Sequence, residues 1–262
     1  MCELMGLSAN KRIRINEELR TFYSHSVNHH NGWGLAILDA DPVFACKEAD
    51  RALDSPNLKK ILACDITTSS CIAHIRRATI GEINVKNSHP FTGVDASGRR
   101  WILAHNGTIF DSDVLAPYQH MQEGTTDSER ILLYLVDLAG RHYRADGPLF
   151  NANRRIRMID EAIKAITPGN KVNLLIHDGE YLYVHKNQAE TLHMKRDEAG
   201  VLFSTQPLDD GAWEEFPQNQ LICQKSDRPI RDHGEQISVR GKRQRAILGL
   251  DAALQLRDQS VY

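Results

Sequence analysis

Short runs of consecutive apolar residues alternate along this chain with two stretches of helical spacing. Leu35-Ala36-Ile37-Leu38, Cys71-Ile72-Ala73-His74-Ile75 and Trp101-Ile102-Leu103-Ala104 are too brief for helices and predict buried strands. Val172 to His177 and Tyr181 to His185 flank Asp178-Gly179, a dipeptide suited to a two-residue hairpin turn because glycine tolerates positive φ. Between these strands, Ile131, Leu132, Leu135, Val136 and Leu138 repeat at helical spacing, as do Ile156, Ile159, Ala162, Ile163 and Ile166. Thr126 with Glu129 predicts a capping box for the first helix, and Pro168-Gly169 a stop for the second. Strands before and after a helical pair, with a hairpin that requires antiparallel pairing, disfavour a doubly wound parallel sheet. The expected fold class is an α+β sandwich.

Composition narrows the function classes. The 262 residues contain no internal repeat or Pro/Ser-rich linker, so residues 1–262 are expected to form one large domain. A net charge of −2 leaves no basic face to follow a phosphate backbone, which argues against nucleic acid as a partner. The basic stretch Arg240 to Arg245 reads as solvated surface. Met1 through Gly6 lack the marks of a secretory signal, and no apolar run approaches membrane-spanning length, so no membrane partner is expected. Five cysteines, Cys2, Cys46, Cys64, Cys71 and Cys223, form an odd set with no CxxC pair, which fits a reduced cytoplasmic location rather than a disulfide framework. His25, His29 and His30 have spacing that could suit a metal, but no matching carboxylate motif accompanies them, and neither metal nor organic cofactor is expected.

Candidate chemistry begins at Cys2. Removal of Met1 would leave Cys2 with a free α-amine that titrates near pH 8, so the nucleophile would bring its own base. A Met-Cys start taken alone favours a cysteine filling small apolar space, and only the polar segments downstream change that balance. Downstream, Asn106 and Gly107 in His105-Asn106-Gly107-Thr108 follow an apolar strand and could donate to an oxyanion, although Asn-Gly is also a common hairpin turn. Arg76 has the parity of His74 and Ile72 and could clamp a carboxylate, with Arg77 on the opposite face; a surface ion pair is the commoner fate of an arginine. Asp127 lies in a predicted first helical turn, where the helix dipole favours it, and could instead bind an ammonium group.

Taken in order, Met1-Cys2-Glu3-Leu4 through Gly6, Asn31-Gly32-Trp33-Gly34, Arg76 through Gly81 with Asn87-Ser88-His89-Pro90-Phe91, His105-Asn106-Gly107 and Thr126-Asp127-Ser128-Glu129 resemble the class II, N-terminal-nucleophile glutamine amidotransferases, especially small stand-alone members without a synthase domain. Leu202 through Leu208 extends a looser likeness. The resemblance implies a four-layer αββα sandwich of two antiparallel sheets. It also implies Cys2 as nucleophile, Asn106 and Gly107 as oxyanion donors, Arg76 as clamp for the glutamine carboxylate and Asp127 as partner of its ammonium, with Thr79 and His89 lining the pocket. Gly32-Trp33-Gly34 reads as a tight approach beside the N-terminal strand.

The implied reaction is hydrolysis of the side-chain amide of L-glutamine through a γ-glutamyl thioester, releasing ammonia and glutamate. Two alternatives stand beside it: hydrolysis of another γ-glutamyl compound, since the clamp reads only the glutamyl end, and a non-catalytic glutamine-sensing subunit. Synthase-fused members usually have an aromatic residue after the clamp arginine and often a histidine after the threonine, where this chain has Arg77 and Ile80. No synthase segment follows, so an acceptor for ammonia would lie on a separate protein.

Overall fold

The structure is a computed structural model that describes residues 2–225 and, as backbone, the strand Ile237–Val239. Met1 and the segment 240–245 lie outside the described residues, so neither the expected removal of Met1 nor the expected basic surface is addressed by it.

Two antiparallel sheets form the centre. The first contains β1 (Glu3–Arg14), β2 (Trp33–Ile37), β3 (Phe44–Glu48), β4 (Thr67–Ile75), β9 (His193–Arg196), β10 (Gly200–Ser204) and β11 (Trp213–Glu215), in the order β11-β9-β10-β1-β4-β2-β3. The second contains β5 (Phe91–Val94), β6 (Arg100–Thr108), β7 (Lys171–His177), β8 (Tyr181–Lys186), β12 (Gln220–Lys225) and β13 (Ile237–Val239), in the order β13-β12-β8-β7-β6-β5. Helices α1 (Asn16–Ser24) and α2 (Pro56–Ala63) belong to the first sheet's outer side, and α3 (Asp127–Asp146) and α4 (Ala152–Ile166) to the second's.

Alternation along the strands builds these layers, because successive side chains in a strand face opposite ways. Met5 and Leu7 of β1 and Cys71, Ala73 and Ile75 of β4 pack outward with Leu19 and Phe22 of α1. Leu4 and Ile72 point inward and meet Ile102 and Ala104 of β6, Leu175 of β7 and Val184 of β8 between the sheets. On the far side, Trp101, Leu103, Val172, Leu174 and Ile176 meet Ile131, Leu135, Ile159 and Ile163. The order is thus helix, sheet, sheet, helix, as expected.

Three local expectations need correction. The hairpin between β7 and β8 forms, but its central pair is Gly179-Glu180: Asp178 N–H donates to Tyr181 O (3.3 Å), and Gly179 takes φ +85°. Positive φ at the first central residue alone makes this a type II′ turn, which shifts it one residue from Asp178-Gly179. Asp178 is instead the turn's acceptor, its carboxylate taking the N–H groups of Glu180 and Tyr181. Thr126 precedes α3 without a side-chain cap, and Glu129 accepts from Glu123 and Gly124 N–H, so the preceding loop occupies the carboxylate that a capping box needs. Gly32 and Gly34 do sit at close approaches, but β4 separates β2 from β1; a Cβ on Gly34 would lie 1.9 Å from His89 O, and one on Gly32 2.5 Å from Ser88 Oγ.

The same hairpin anchors α4. Arg155, nearly fully buried, donates from Nε to Asp178 Oδ2 (2.7 Å) and from Nη2 to Glu180 Oε2 (2.5 Å), while Tyr183 OH donates to Asp178 Oδ2 (2.8 Å). Arg155→Ala would strand a fully buried carboxylate, and the urea unfolding free energy should fall by about 3–5 kcal/mol.

Candidate active site

The start of β1 is tied to the segment after β10. Leu4 N–H donates to Thr205 Oγ1 (2.9 Å) and Thr205 N–H donates back to Leu4 O (2.9 Å). Cys2, one step outside the strand and of the same parity as inward-facing Leu4, is thereby held at the mouth of the layer between the sheets. Its Sγ accepts from Arg77 N–H at 3.4 Å and lies 3.5 Å from Arg77 O. Burial raises the thiol above its ordinary value, opposed by the Arg77 hydrogen bond and by Arg76, and reinforced by Asp127. Cys2, Arg76 and Asp127 therefore share one electrostatic field.

Arg76 is buried and Arg77 exposed, as strand alternation requires. Arg76 also organises its own loop: Nη1 donates to Glu82 O (2.9 Å) and Asn31 O (3.4 Å), and Nη2 to Ile80 O (3.1 Å) and Gly81 O (3.3 Å). Asn87 latches this loop to the segment before α3, its amide donating to Glu82 O and Thr125 Oγ1 and its Oδ1 accepting from Thr125 N–H. Two residues later, at the first turn of α3, Asp127 is buried and its Oδ2 accepts from Ile109 N–H (2.6 Å), just past the end of β6.

Asn106 and Gly107 lie within β6, paired with Asn173 and Val172 of β7, and do not form the turn their dipeptide also suits. Asn106 has the inward parity of Ile102 and Ala104 and is fully buried, yet neither its Oδ1 nor its Nδ2 has a hydrogen-bond partner among the described residues. An unpaired buried amide costs about 1–3 kcal/mol, and such groups concentrate where a ligand completes them. Asn173 repeats the pattern: its Nδ2 donates to Thr191 Oγ1 (2.9 Å), but its Oδ1 is unpaired. At Gly107 a Cβ would lie 1.9 Å from Lys171 O, so only glycine lets β7 approach here.

The two remaining expected residues diverge. Thr79 is exposed on the Arg76 loop. His89 is buried against the His74 and Phe91 rings, with centroids at 4.1 and 4.6 Å, and its Nδ1 accepts from His105 N–H (3.2 Å). Burial and then Arg76 push His74 down to about 3, while burial and then His74 hold His89 well below its ordinary value; both rings are neutral near pH 7. His89 is thus packed among buried rings and is not exposed as Thr79 is.

Several positioning residues were not singled out from sequence. Asn31 donates its N–H to Arg76 O, and its Oδ1 accepts from Ala78 N–H (2.9 Å), so it pins the chain on both sides of Arg76. Glu3 is buried beside Cys2, where its carboxylate meets His25 Nδ1 (2.7 Å) and accepts from Gln206 Nε2 (3.1 Å). His25 and His29 thus gather around Glu3, and the described residues contain no group that could hold a metal ion. Asn173 had a legible signal, a lone amide at inward parity in the apolar run Val172-Asn173-Leu174-Leu175. Next to Cys2 opens a cavity of about 540 Å³ lined by Glu3, Asn28, His29, Arg77, Glu190, Thr191, Thr205 and Gln206; Arg76, Asn106 and Asp127 are not part of that lining.

The family model of the class II glutamine amidotransferases matches residues 1–196 of the chain. YafJ of Escherichia coli K12, provisionally named a glutamine amidotransferase, is 29% identical over 189 residues, covering 71% of this chain and 72% of YafJ. A γ-glutamyl-hercynylcysteine sulfoxide hydrolase of Mycolicibacterium smegmatis is 27% identical over 200 residues, covering 76% and 79% of the two chains. The crystal structure of a predicted glutamine amidotransferase from Pseudomonas aeruginosa shares the fold, with a TM-score of 0.62 at 21% identity over 88% of this chain and 100% of that one.

Proposed function

The chain belongs to the class II glutamine amidotransferases, and on that premise we propose that Cys2 hydrolyses the side-chain amide of L-glutamine. The Cys2 sulfur attacks the amide carbon, the C–N bond breaks as the thiol proton passes to the departing nitrogen, and ammonia leaves. Water then cleaves the γ-glutamyl thioester to glutamate and restores the thiol. Met1 removal supplies the α-amine that moves the proton, which offsets the burial that raises the thiol. Asn106 Nδ2 and the Gly107 N–H stabilise the oxyanion, Arg76 and Asp127 bind the two charges at the amino-acid end, and Thr79 lines the pocket from the Arg76 loop.

The observation that supports this most directly is the fully buried, unpartnered amide of Asn106, on the inward parity that Cys2 shares. A preorganised donor that bonds to nothing among the described residues is free for the charge that develops during attack. A second reading, a γ-glutamyl compound with a leaving group larger than ammonia, draws on the size of the cavity beside Cys2 and on the substrate in the Mycolicibacterium relative's name.

Intact mass before and after treatment with 6-diazo-5-oxo-L-norleucine, a glutamine-like electrophile, tests the assignment. Wild type should start without Met1 and gain one adduct, and Cys2→Ala should gain none. An adduct that persists in Cys2→Ala overturns the mechanism; a retained Met1 with no adduct favours a glutamine-sensing subunit.

A further inference from the structure

Strand alternation at the end of β4 sends two consecutive arginines beside one nucleophile to opposite faces of the sheet. Arg76 turns inward, buried, on the side of Asn106 and Asp127. Arg77 is exposed; its main-chain N–H holds the Cys2 sulfur, and the residue lines the cavity beside that sulfur. Among the described residues the Arg77 guanidinium has no ion pair or hydrogen bond, in contrast to Arg76 with its four carbonyl contacts. The cavity is also far too large for ammonia. About 540 Å³ is available, whereas a water-sized molecule fills ~30 Å³ and pockets that hold small organic ligands span roughly 300–1,000 Å³.

We infer that this cavity is a leaving-group subsite for an amino acid, and that the substrate class is a γ-glutamyl-amino acid whose second α-carboxylate pairs with Arg77. Such a molecule carries one carboxylate on each side of its scissile amide, and the protein carries two arginines of opposite parity beside Cys2. Guanidinium is the side chain whose geometry matches a carboxylate bidentately. Thr191, Thr205 and Gln206 offer neutral polar contacts to the rest of the leaving group. The inference rests on the Cys2 reading above and alters only what departs: the γ-carbonyl carbon bonds to sulfur, the C–N bond breaks, the thiol proton goes to the leaving nitrogen to give the free amino acid, and water completes release of glutamate.

The test compares γ-glutamyl-L-alanine, γ-glutamylmethylamide and glutamine. In the full-length Cys2→Ala protein, calorimetry should find γ-glutamyl-L-alanine bound about tenfold tighter than γ-glutamylmethylamide, the low end for hydrogen bonds to a charged group. Adding Arg77→Gln should shrink that preference to within about twofold, while Arg77→Lys should keep part of it. As a second measurement, the ratio of kcat/KM for the same two compounds should fall about tenfold in Arg77→Gln with Cys2 intact. Equal affinity for the two amides, with electrophile labelling of Cys2 preserved, overturns the subsite and leaves the glutamine reading standing. Loss of labelling together with failure to bind any γ-glutamyl compound overturns both.

Discussion

Cys2→Ala should lower kcat/KM for glutamine hydrolysis by on the order of 10⁴-fold or more, read as glutamate release at steady state. Nothing nearby can replace a nucleophile that forms the covalent intermediate. Cys71 is fully buried on the outer face of β4, where burial pushes its thiol up to about 12, and Cys223 is buried in the layer beneath α3 and α4 with its thiol also raised by burial. Cys46 and Cys64 lie on β3 and just past α2, outside the cavity lining. Stability should change little, because the Cys2 sulfur's contacts are two long ones to the Arg77 main chain. A residual rate within tenfold of wild type would remove Cys2 from the chemistry.

Asn106→Ala should reduce kcat by about 10²–10³-fold while KM moves only a few-fold, the signature of a donor used mainly in the transition state. The same substitution separates catalysis from packing. Both amide atoms are unbonded among the described residues, so alanine removes no hydrogen bond shown there and relieves a buried unsatisfied group. The thermal midpoint should therefore stay near that of wild type. A large drop in stability with kcat preserved would make Asn106 a structural residue. Asn173, its partner across β6 and β7, offers a graded comparison because one of its amide groups is already bonded to Thr191.

Much of the layering was legible before any coordinates. The runs at Leu35, Cys71, Trp101 and Val172 became strands because a sheet packed on both faces needs apolar side chains at both parities. The two helical stretches became α3 and α4, and Pro168-Gly169 ends the second, with Gly169 at φ +72°. What failed was local chemistry that other parts of the fold compete for. Glu129 fits a capping box by spacing, but the loop before α3 offers it two N–H groups at 2.8 Å. Gly32 and Gly34 suggest close packing, but only the order of the strands says that the neighbour is the Ser88-His89 segment rather than β1.

By itself the sequence determined the elements, the parity of their side chains and the ordered motif set that marks the family, because these depend on spacing along one chain. It therefore separated Arg76 from Arg77 and placed Asp127 at a helix start. Only the tertiary structure decided which inward positions meet. Cys2 directly precedes a strand of one sheet and Asn106 lies in the other sheet, and no local rule relates them until the sheets stack. The same stacking leaves the Asn106 amide without a partner among the described residues, buries Glu3 against His25 from α1's side, and opens the cavity that Arg77 lines. Satisfaction of buried polar groups is a property of the assembled neighbourhood, so the residues with unmet or newly met partners are the ones the sequence could name but not assign.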